Sequence, residues 1–485
     1  MNLKEILYRV SIQHAFGKRD KNILSISFDS NKLKKSSLFV AVKGTNNDGH
    51  KYIPKAIENG AIAIICEDIP VNLNDDKTYI IVENSRKALA IVASNFYNNP
   101  SNSIKLVGVT GTNGKSTIVE LSRQLFSKMG LKVGMLSTIE NKIIDKIIPA
   151  NLTTPDPLEI NRLLREMVDQ GCEYCFMEVS SHAIDQYRTH SLHFSGGIFT
   201  NITHDHLDYH KSFSEYIRVK KMFFDSLSES SFALINKDDR NYKKMIETTK
   251  AKTYTYSLKS VSDYKCKIIE CQFEGMLLSI SQINVWVKLL GDFNAYNLLA
   301  VYSIANLFGY ENHQILTCLS ILSSASGRFQ YIRSKDDIIA IVDYAHTEDA
   351  LRNIISSINK IRTNTEQLIT VFGCGGNRDK LKRPLMTSVV CHLSDQIIIT
   401  NDNPRNEDPN SIIKDMLKDL DPFLKKKVLV INDRRQAIKT ACTIASKKDI
   451  VLVAGKGHEK YQEVNGEKLH FDDLEELKKS LNIIE

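Results

Sequence analysis

The chain has 485 residues, with 64 Lys and Arg against 57 Asp and Glu, a formal charge of +7. At 42% hydrophobic and 25% charged it has the composition of a globular protein long enough for about three domains, which excludes a disordered or fibrous chain. The charge surplus forms no basic stripe of the kind nucleic acid requires, and no apolar run approaches the roughly 18 residues of a membrane span. Met1 to Glu5 lacks a signal peptide's apolar stretch, so a cytoplasmic chain with no nucleic-acid partner is expected.

Residues 1–102 carry short strands at 38–42, 61–65 and 79–82, then a helix over 85–97 and a linker, Asn98 to Asn102. They predict a smaller N-terminal α/β domain.

Residues 103–327 open with a strand over 104–109, a glycine-rich turn and a helix whose apolar Val119, Leu125, Phe126 and Met129 recur at helical spacing. Further strands at 132–136, 174–179 and 197–201 alternate with helical stretches, the signature of a parallel sheet covered on both faces. Cys172 and Cys175 spell C-x-x-C, but Phe176 to Val179 reads as a buried strand and no second pair follows. With nine cysteines in all, reduced structural thiols are expected.

The turn, Gly108 to Thr117, joins strand to helix. Glycines let the backbone approach phosphate oxygens, loop amides and the helix start bind anions, Lys115 adds a point charge and Ser116 can ligate Mg²⁺. Val109 stands where the strict G-x-x-x-x-G-K-[ST] pattern has glycine, so this is a variant with glycines at 108, 111 and 114. Glu178 lies at a strand's carboxyl end, where open sheets place ligands and a carboxylate can hold Mg²⁺. The histidines of Thr200 to His210 raise a zinc reading, which lacks cysteine ligands or an H-E-x-x-H frame. Lys220 and Lys221, on a helix over 213–223, read by pattern alone as solvated lysines.

Residues 328–485 restart the alternation, with strands at 338–342, 368–372, 396–400, 428–431 and 450–453 and helices at 349–361, 383–393 and 435–445. They predict a doubly wound, Rossmann-like C-terminal domain. Two of its strands end in loops bearing Arg378 and Arg405, and a guanidinium pairs bidentately with carboxylate.

Together these segments resemble the ATP-dependent Mur ligase family. Gly111 to Ser116 matches its G-T-N-G-K-[ST] loop, and Gly327-Arg328-Phe329, Asp343-Tyr344-Ala345-His346-Thr347 and Gly291 to Asn297 match further motifs; Glu348 replaces a usual proline. The resemblance implies ATP as co-substrate, bound by Gly111, Thr112, Asn113, Gly114, Lys115, Ser116, Asn294, Arg328, Asp343 and His346, with Asn297 matching the same motif. It implies Mg²⁺ held by Ser116, Glu178, His206 and a carbamylated Lys220, with Asp208 in support. Lys115, Lys220, Glu178 and His206 form the catalytic set.

It further implies a uridine-nucleotide substrate contacted by Ser30, Thr153, Thr154, Ser180, Gln186 and Arg188, although Asn31 stands where relatives have arginine. The tetrad Asp402-Asn403-Pro404-Arg405, with Arg378, Gly455 and Glu459, looks like the amino-acid pocket of the family branch that adds meso-diaminopimelate. Arg405 would take the carboxylate that lysine lacks, and Glu459 the distal ammonium. The implied reaction joins UDP-N-acetylmuramoyl-L-alanyl-D-glutamate to that diamino acid through an acyl phosphate, in peptidoglycan precursor synthesis. His206, Asp343 and His346 are each candidates for the base that deprotonates the amine.

Domain closure and a monomer are expected. Alternatives are a lysine-adding relative, disfavoured by Arg405, and a folylpolyglutamate synthase, disfavoured by Thr153-Thr154 and by Glu178 to His182. From another class comes a P-loop regulator binding nucleic acid or protein, which would bind ATP without releasing phosphate when an amino acid is added.

Overall fold

Runs of β-branched and aromatic residues fix three sheets in the computed structural model of the chain, which describes residues 1–44, 47–325, 327–363 and 365–483. In the first, Ala61–Cys66 lies between Ser37–Val40 and Thr78–Val82, all parallel and almost wholly buried. Two strands that hydropathy does not signal, Ile12–Phe16 and Ser25–Ser27, flank them. The first of these is largely exposed, so no apolar alternation marks it. The helix Ser85–Phe96 is capped by the Asn84 side chain and ends before Asn98 and Asn99, both left-handed at φ 59° and 47°.

The second sheet has eleven strands. At its centre Lys105–Thr110 runs parallel between Tyr174–Glu178 and Gly196–Phe199, and Val133–Leu136, Phe232–Asn236 and Lys252–Ser257 extend it in parallel. The expected parallel sheet is therefore its middle. Antiparallel additions continue both edges, the hairpin Glu140–Ile143 with Lys146–Pro149 and the meander Tyr264–Gln272, Gly275–Ile280 and Ile283–Val287. Cys172 and Cys175 are buried free thiols, the latter inside a central strand where burial pushes its pKa far up.

The third sheet sets Ile450–Ala454 between Ile339–Asp343 and Leu368–Phe372, with Gln396–Ile399 and Val428–Val430 beyond and antiparallel Gln330–Arg333 at the edge. This is the doubly wound arrangement the sequence predicts. Among the described residues no helix is long and apolar enough to cross a membrane.

Two carboxylates fix the loops at the strand ends. Asp238 accepts from the Ser257, Ser260 and Tyr296 hydroxyls and from three amides between Leu258 and Ser260. Burial opposes its charge, but these donors outweigh burial and hold its pKa well below the usual carboxylate range. In the third unit the buried Arg434 forms a two-bond pair with Asp473 (2.7 and 2.8 Å) and also donates to the Ala454 carbonyl.

Asp473→Ala should therefore cost about 3 to 5 kcal/mol by stranding a buried guanidinium. Denaturant titration measures this, and wild-type stability would show that the pair is not a fixed element of the unit.

Candidate active site

The central strand Lys105–Thr110 delivers its chain straight into the phosphate loop. Gly111 and Gly114 have φ of 150° and 91°. A Cβ at the first would sit 1.9 Å from Thr200 Oγ1, and at the second 2.8 Å from Asn297 Oδ1. The next strand's end clamps the loop, with Thr112 N–H donating to Asn201 O (2.8 Å), Asn113 N–H to Asn201 Oδ1 (2.9 Å) and Thr200 Oγ1 to Asn113 O (2.6 Å).

Lys115 Nζ folds back on the Gly111 and Thr112 carbonyls (3.0 and 2.8 Å), and burial lowers its pKa against the pull of Glu178 and Asp205. Lys220 is 1% exposed and donates to the same Gly111 carbonyl (2.9 Å), its nitrogen 4.7 Å from the Tyr216 ring centre. Burial first, and Lys115 second, push its pKa far down, which favours the neutral amine. Lys221, by contrast, pairs with Asp225 (2.9 Å) on the outer face of the helix. The fold brings Lys220, and not its neighbour, to the loop.

Glu178 is fully buried; its Oε1 accepts from Thr138 N–H (2.8 Å) while its Oε2 has no hydrogen-bond partner. A buried carboxylate oxygen with an open lone pair suits a hard cation, so these residues fit Mg²⁺. His206 adopts φ 54°, with Nε2 3.5 Å from Asp205 Oδ2 and its ring 5.0 Å from that of His182. Burial lowers its pKa to about 4, leaving a neutral imidazole able to act as a ligand. The Asp208 side chain lies outside the described residues.

Beside Glu178 the expected substrate residues form one network. Thr153 Oγ1 accepts from Thr138 Oγ1 (3.1 Å), and Thr154 Oγ1 donates to Glu178 O (2.8 Å) and accepts from Ser180 N–H (3.0 Å). Arg188 donates to Thr154 O (2.8 Å) and to Gln186 Oε1 (2.7 Å). Ser30 is not part of it; it lies on the N-terminal unit, where its carbonyl accepts from Asn59.

The third unit meets the loop across a cleft. Arg328 Nη2 stands 3.5 Å from Ser116 Oγ, and Asn113 donates to Asp349 (3.1 Å). Asn294 and Asn297 bond each other on the helix Asp292–Leu307. Both Asp343 oxygens accept backbone amides, from Phe329 and Ala345 at 2.7 Å each, so its carboxylate shapes the interdomain turn. His346 Nδ1 bonds Tyr344 O (2.8 Å), and burial lowers its pKa to about 4.

At the carboxyl ends of the third sheet, Arg405 Nη1, the Arg378 stem and Asn403 O all surround Gly375, where a Cβ would lie 3.0, 3.8 and 3.8 Å from them. Arg405 donates to Gly376 O (2.9 Å), and its Nε lies 3.3 Å from Glu463. Asn403 donates to Glu459 Oε2 (2.7 Å) and accepts from the fully buried Lys456 (2.8 Å), which also lies 3.4 Å from Asp402. A Cβ on Gly455 would be 2.7 Å from Asp402 Oδ2, and Pro404 O packs where a side chain on Gly376 would go. Burial, then Asp402, raise the pKa of Glu459.

Four contributors escape a reading of motifs. Lys456 directly follows Gly455, three residues before Glu459, so the signal that marks those two residues extends to it. Glu463 comes from the hairpin Tyr461–Val464 with Glu467–His470, and Arg383 pins both arginine loops from below through Glu407 (2.8 Å, two bonds) and Asp415 (2.8 Å). Thr138, whose amide holds Glu178, has no local signal.

The geometry thus gives an anion-binding loop, a carboxylate with an open lone pair and, across a cleft, a loop cluster holding both cationic and carboxylate side chains, and three family profiles cover the same segments. "Mur ligase family, catalytic domain" matches residues 22–97, "Mur ligase middle domain" residues 109–305, and "Mur ligase, glutamate ligase domain" residues 327–457. A UDP-N-acetylmuramoyl-L-alanyl-D-glutamate--2,6-diaminopimelate ligase of Cytophaga hutchinsonii is 50% identical over 485 residues, all of both chains. A solved structure with the same name aligns with a TM-score of 0.70 at 31% identity, over 99% of each chain. The MurF ligase of Thermotoga maritima in complex with ADP shares the fold, with a TM-score of 0.62 at 20% identity over 94% of this chain and 98% of that one. Matched along its whole length in sequence and fold, the chain belongs to the Mur ligase family.

Proposed function

We propose that this ligase joins meso-2,6-diaminopimelate to UDP-N-acetylmuramoyl-L-alanyl-D-glutamate at the expense of ATP, a step of peptidoglycan precursor synthesis. The observation that carries the reading is the pairing, in one loop cluster, of Arg405 with the Asn403–Glu459 bond. A guanidinium and a carboxylate carried by the same loop cluster complement the distal carboxylate and ammonium of a diamino diacid. Residues 1–102 carry the uridine moiety near Ser30, residues 103–327 carry ATP, and residues 328–485 carry the amino acid.

A carboxylate is a poor electrophile until phosphorylated. The loop amides and Lys115 hold the phosphates, Asn294, Arg328 and His346 complete the nucleotide site, and Thr153, Thr154, Ser180, Gln186 and Arg188 fix the acceptor beside it. Ser116, Glu178, His206 and a carbamylated Lys220 would hold Mg²⁺, which would supply positive charge near the transferring phosphoryl group. Lys220 suits that modification because burial lowers its pKa and so favours the neutral amine, which attacks CO₂, forms an N–C bond and releases one proton. The acyl phosphate then meets the amine of the bound diamino acid, and phosphate leaves. Asp343, with both oxygens on backbone amides, is a positioning residue here. The nucleotide-linked reactants support a cytoplasmic location, and a monomer is proposed with it.

Phosphate release with the UDP-dipeptide and ATP, compared for meso-diaminopimelate, L-lysine and L-ornithine, tests the reading. Only the first should give stoichiometric release; a preference for lysine would move the chain to the lysine-adding branch, and no release with any amine would sink the assignment.

Arg405→Ala should weaken use of meso-diaminopimelate by about 2 to 5 kcal/mol in kcat/KM and narrow its advantage over lysine. Unchanged discrimination would place the pocket elsewhere.

Lys220→Ala should lower kcat by about a hundredfold or more and remove a carbamate signal from protein equilibrated with ¹³C-bicarbonate. A wild-type protein without that signal would overturn the carbamate role.

A further inference from the structure

A second concavity lies away from the phosphate loop. A cavity of about 670 Å³ separates the N-terminal unit from the middle one, walled on one side by the helix Ser85–Phe96 and on the other by residues 184–193 and the end of the helix Phe213–Asp225. That volume falls within the range of pockets that hold small organic ligands.

Its chemistry is one-sided. Arg9, His190 and His193 line it and, among the described residues, no carboxylate does; burial lowers the His190 pKa, so its ring offers an N–H donor rather than a charge beside Arg9. Arg9 has no ion pair among the described residues, and the nearby Lys87 ammonium stands 4.8 Å from the Tyr187 ring centre. Asn95, Asn99 and Asn102 add carboxamides. The first is pinned by bonds to the Ile6 and Tyr8 carbonyls (2.9 and 2.7 Å), so its orientation is set before anything binds. Ile91, Ile184 and Met222 make an apolar floor.

The backbone around the cavity is strained where no glycine relieves it. Arg9, Tyr187 and Ser191 take φ of 66°, 56° and 73°, conformations that persist in non-glycine residues only when the surroundings impose them and that cluster at ligand sites.

We propose that this cavity binds a small organic anion, an aromatic or otherwise apolar body carrying a phosphate or carboxylate, with the anion at the Arg9 and His190 rim and the body on the Ile91 and Met222 floor. The site suits an effector because it shares walls with the reaction centre. Tyr187 and Thr189 line it while the alternate residues Gln186 and Arg188 belong to the substrate network. Met222 and Phe223 follow Lys220 on one helix, and the Phe223 ring packs so closely beneath the loop's strand that a Cβ on Gly108 would lie 2.6 Å from it.

The test uses the full chain with its phosphate loop saturated by ADP, titrated with phenyl phosphate, benzoate and benzyl alcohol and followed by methyl resonances of isoleucine and methionine. Saturable shifts at Ile91, Ile184 and Met222 are expected with an anion at about millimolar affinity, and whichever of phosphate and carboxylate binds more tightly identifies the head group. Arg9→Gln should weaken binding about tenfold and Ile91→Trp, which fills the cavity, should abolish it, with ADP affinity unchanged in both. No saturable shift with either anion, equal binding in both variants, or equal binding of benzyl alcohol would overturn the proposal.

Discussion

Two lysine side chains, one buried and one half-buried, converge on a single carbonyl oxygen. Lys115 and Lys220, drawn from different helices, both donate to Gly111 O, so their nitrogens lie within about 6 Å of each other. Were both charged, at an effective dielectric of about 20 they would repel by roughly 3 kcal/mol. Burial lowers the pKa of both, that of Lys220 most, which relieves the conflict. The two glycines, the clamp from Asn201 and the burial of Tyr216 all serve to hold that carbonyl in place.

How far the sequence discloses this arrangement depends on whether a feature is local. The strand, turn and helix around Gly108 to Thr117 are consecutive residues whose pattern states their chemistry, and the central parallel strands of all three sheets follow from apolar runs that the structure moves by only a residue or two, whereas Phe232–Asn236 and Lys252–Ser257, which extend the second sheet in parallel, are not among the expected strands. Lys220 was a different case: helical spacing alone made it a solvated lysine, and only family resemblance singled it out from Lys221. Its burial arises from packing against a loop 109 residues away. The strands Ile12–Phe16 and Tyr264–Gln272 lie outside the expectations because half-exposed strands carry no apolar run, whereas Gly275–Ile280, with Met276, Leu278 and Ile280 buried, carries a legible one. Thr138 and Glu463 escaped because a backbone amide and a hairpin carboxylate announce nothing about what they will face.

The same distinction separates the two halves of the cleft. The nucleotide side is built from one motif and its neighbours along a sheet. On the other side, the loops bearing Arg378 and Arg405 are joined from beneath by Arg383, whose guanidinium binds Gly375 O, Glu407 and Asp415 while almost wholly excluded from water. Glu459 is tied to the same cluster through Asn403, so charged groups from three distant loops are set in place by packing rather than by one local motif.

The Arg434 guanidinium has a bearing on biogenesis. It is enclosed between strand ends with its counter-ion thirty-nine residues further along the chain. While the polypeptide is being synthesised, Arg434 lacks its two-bond partner until the segment bearing Asp473 emerges, so burial of its guanidinium at the strand ends waits on the helix Asp473–Ser480. A ribosome stalled between those two residues would carry a nascent chain with a finished phosphate loop and an unfinished partner, a species open to chaperones and proteases.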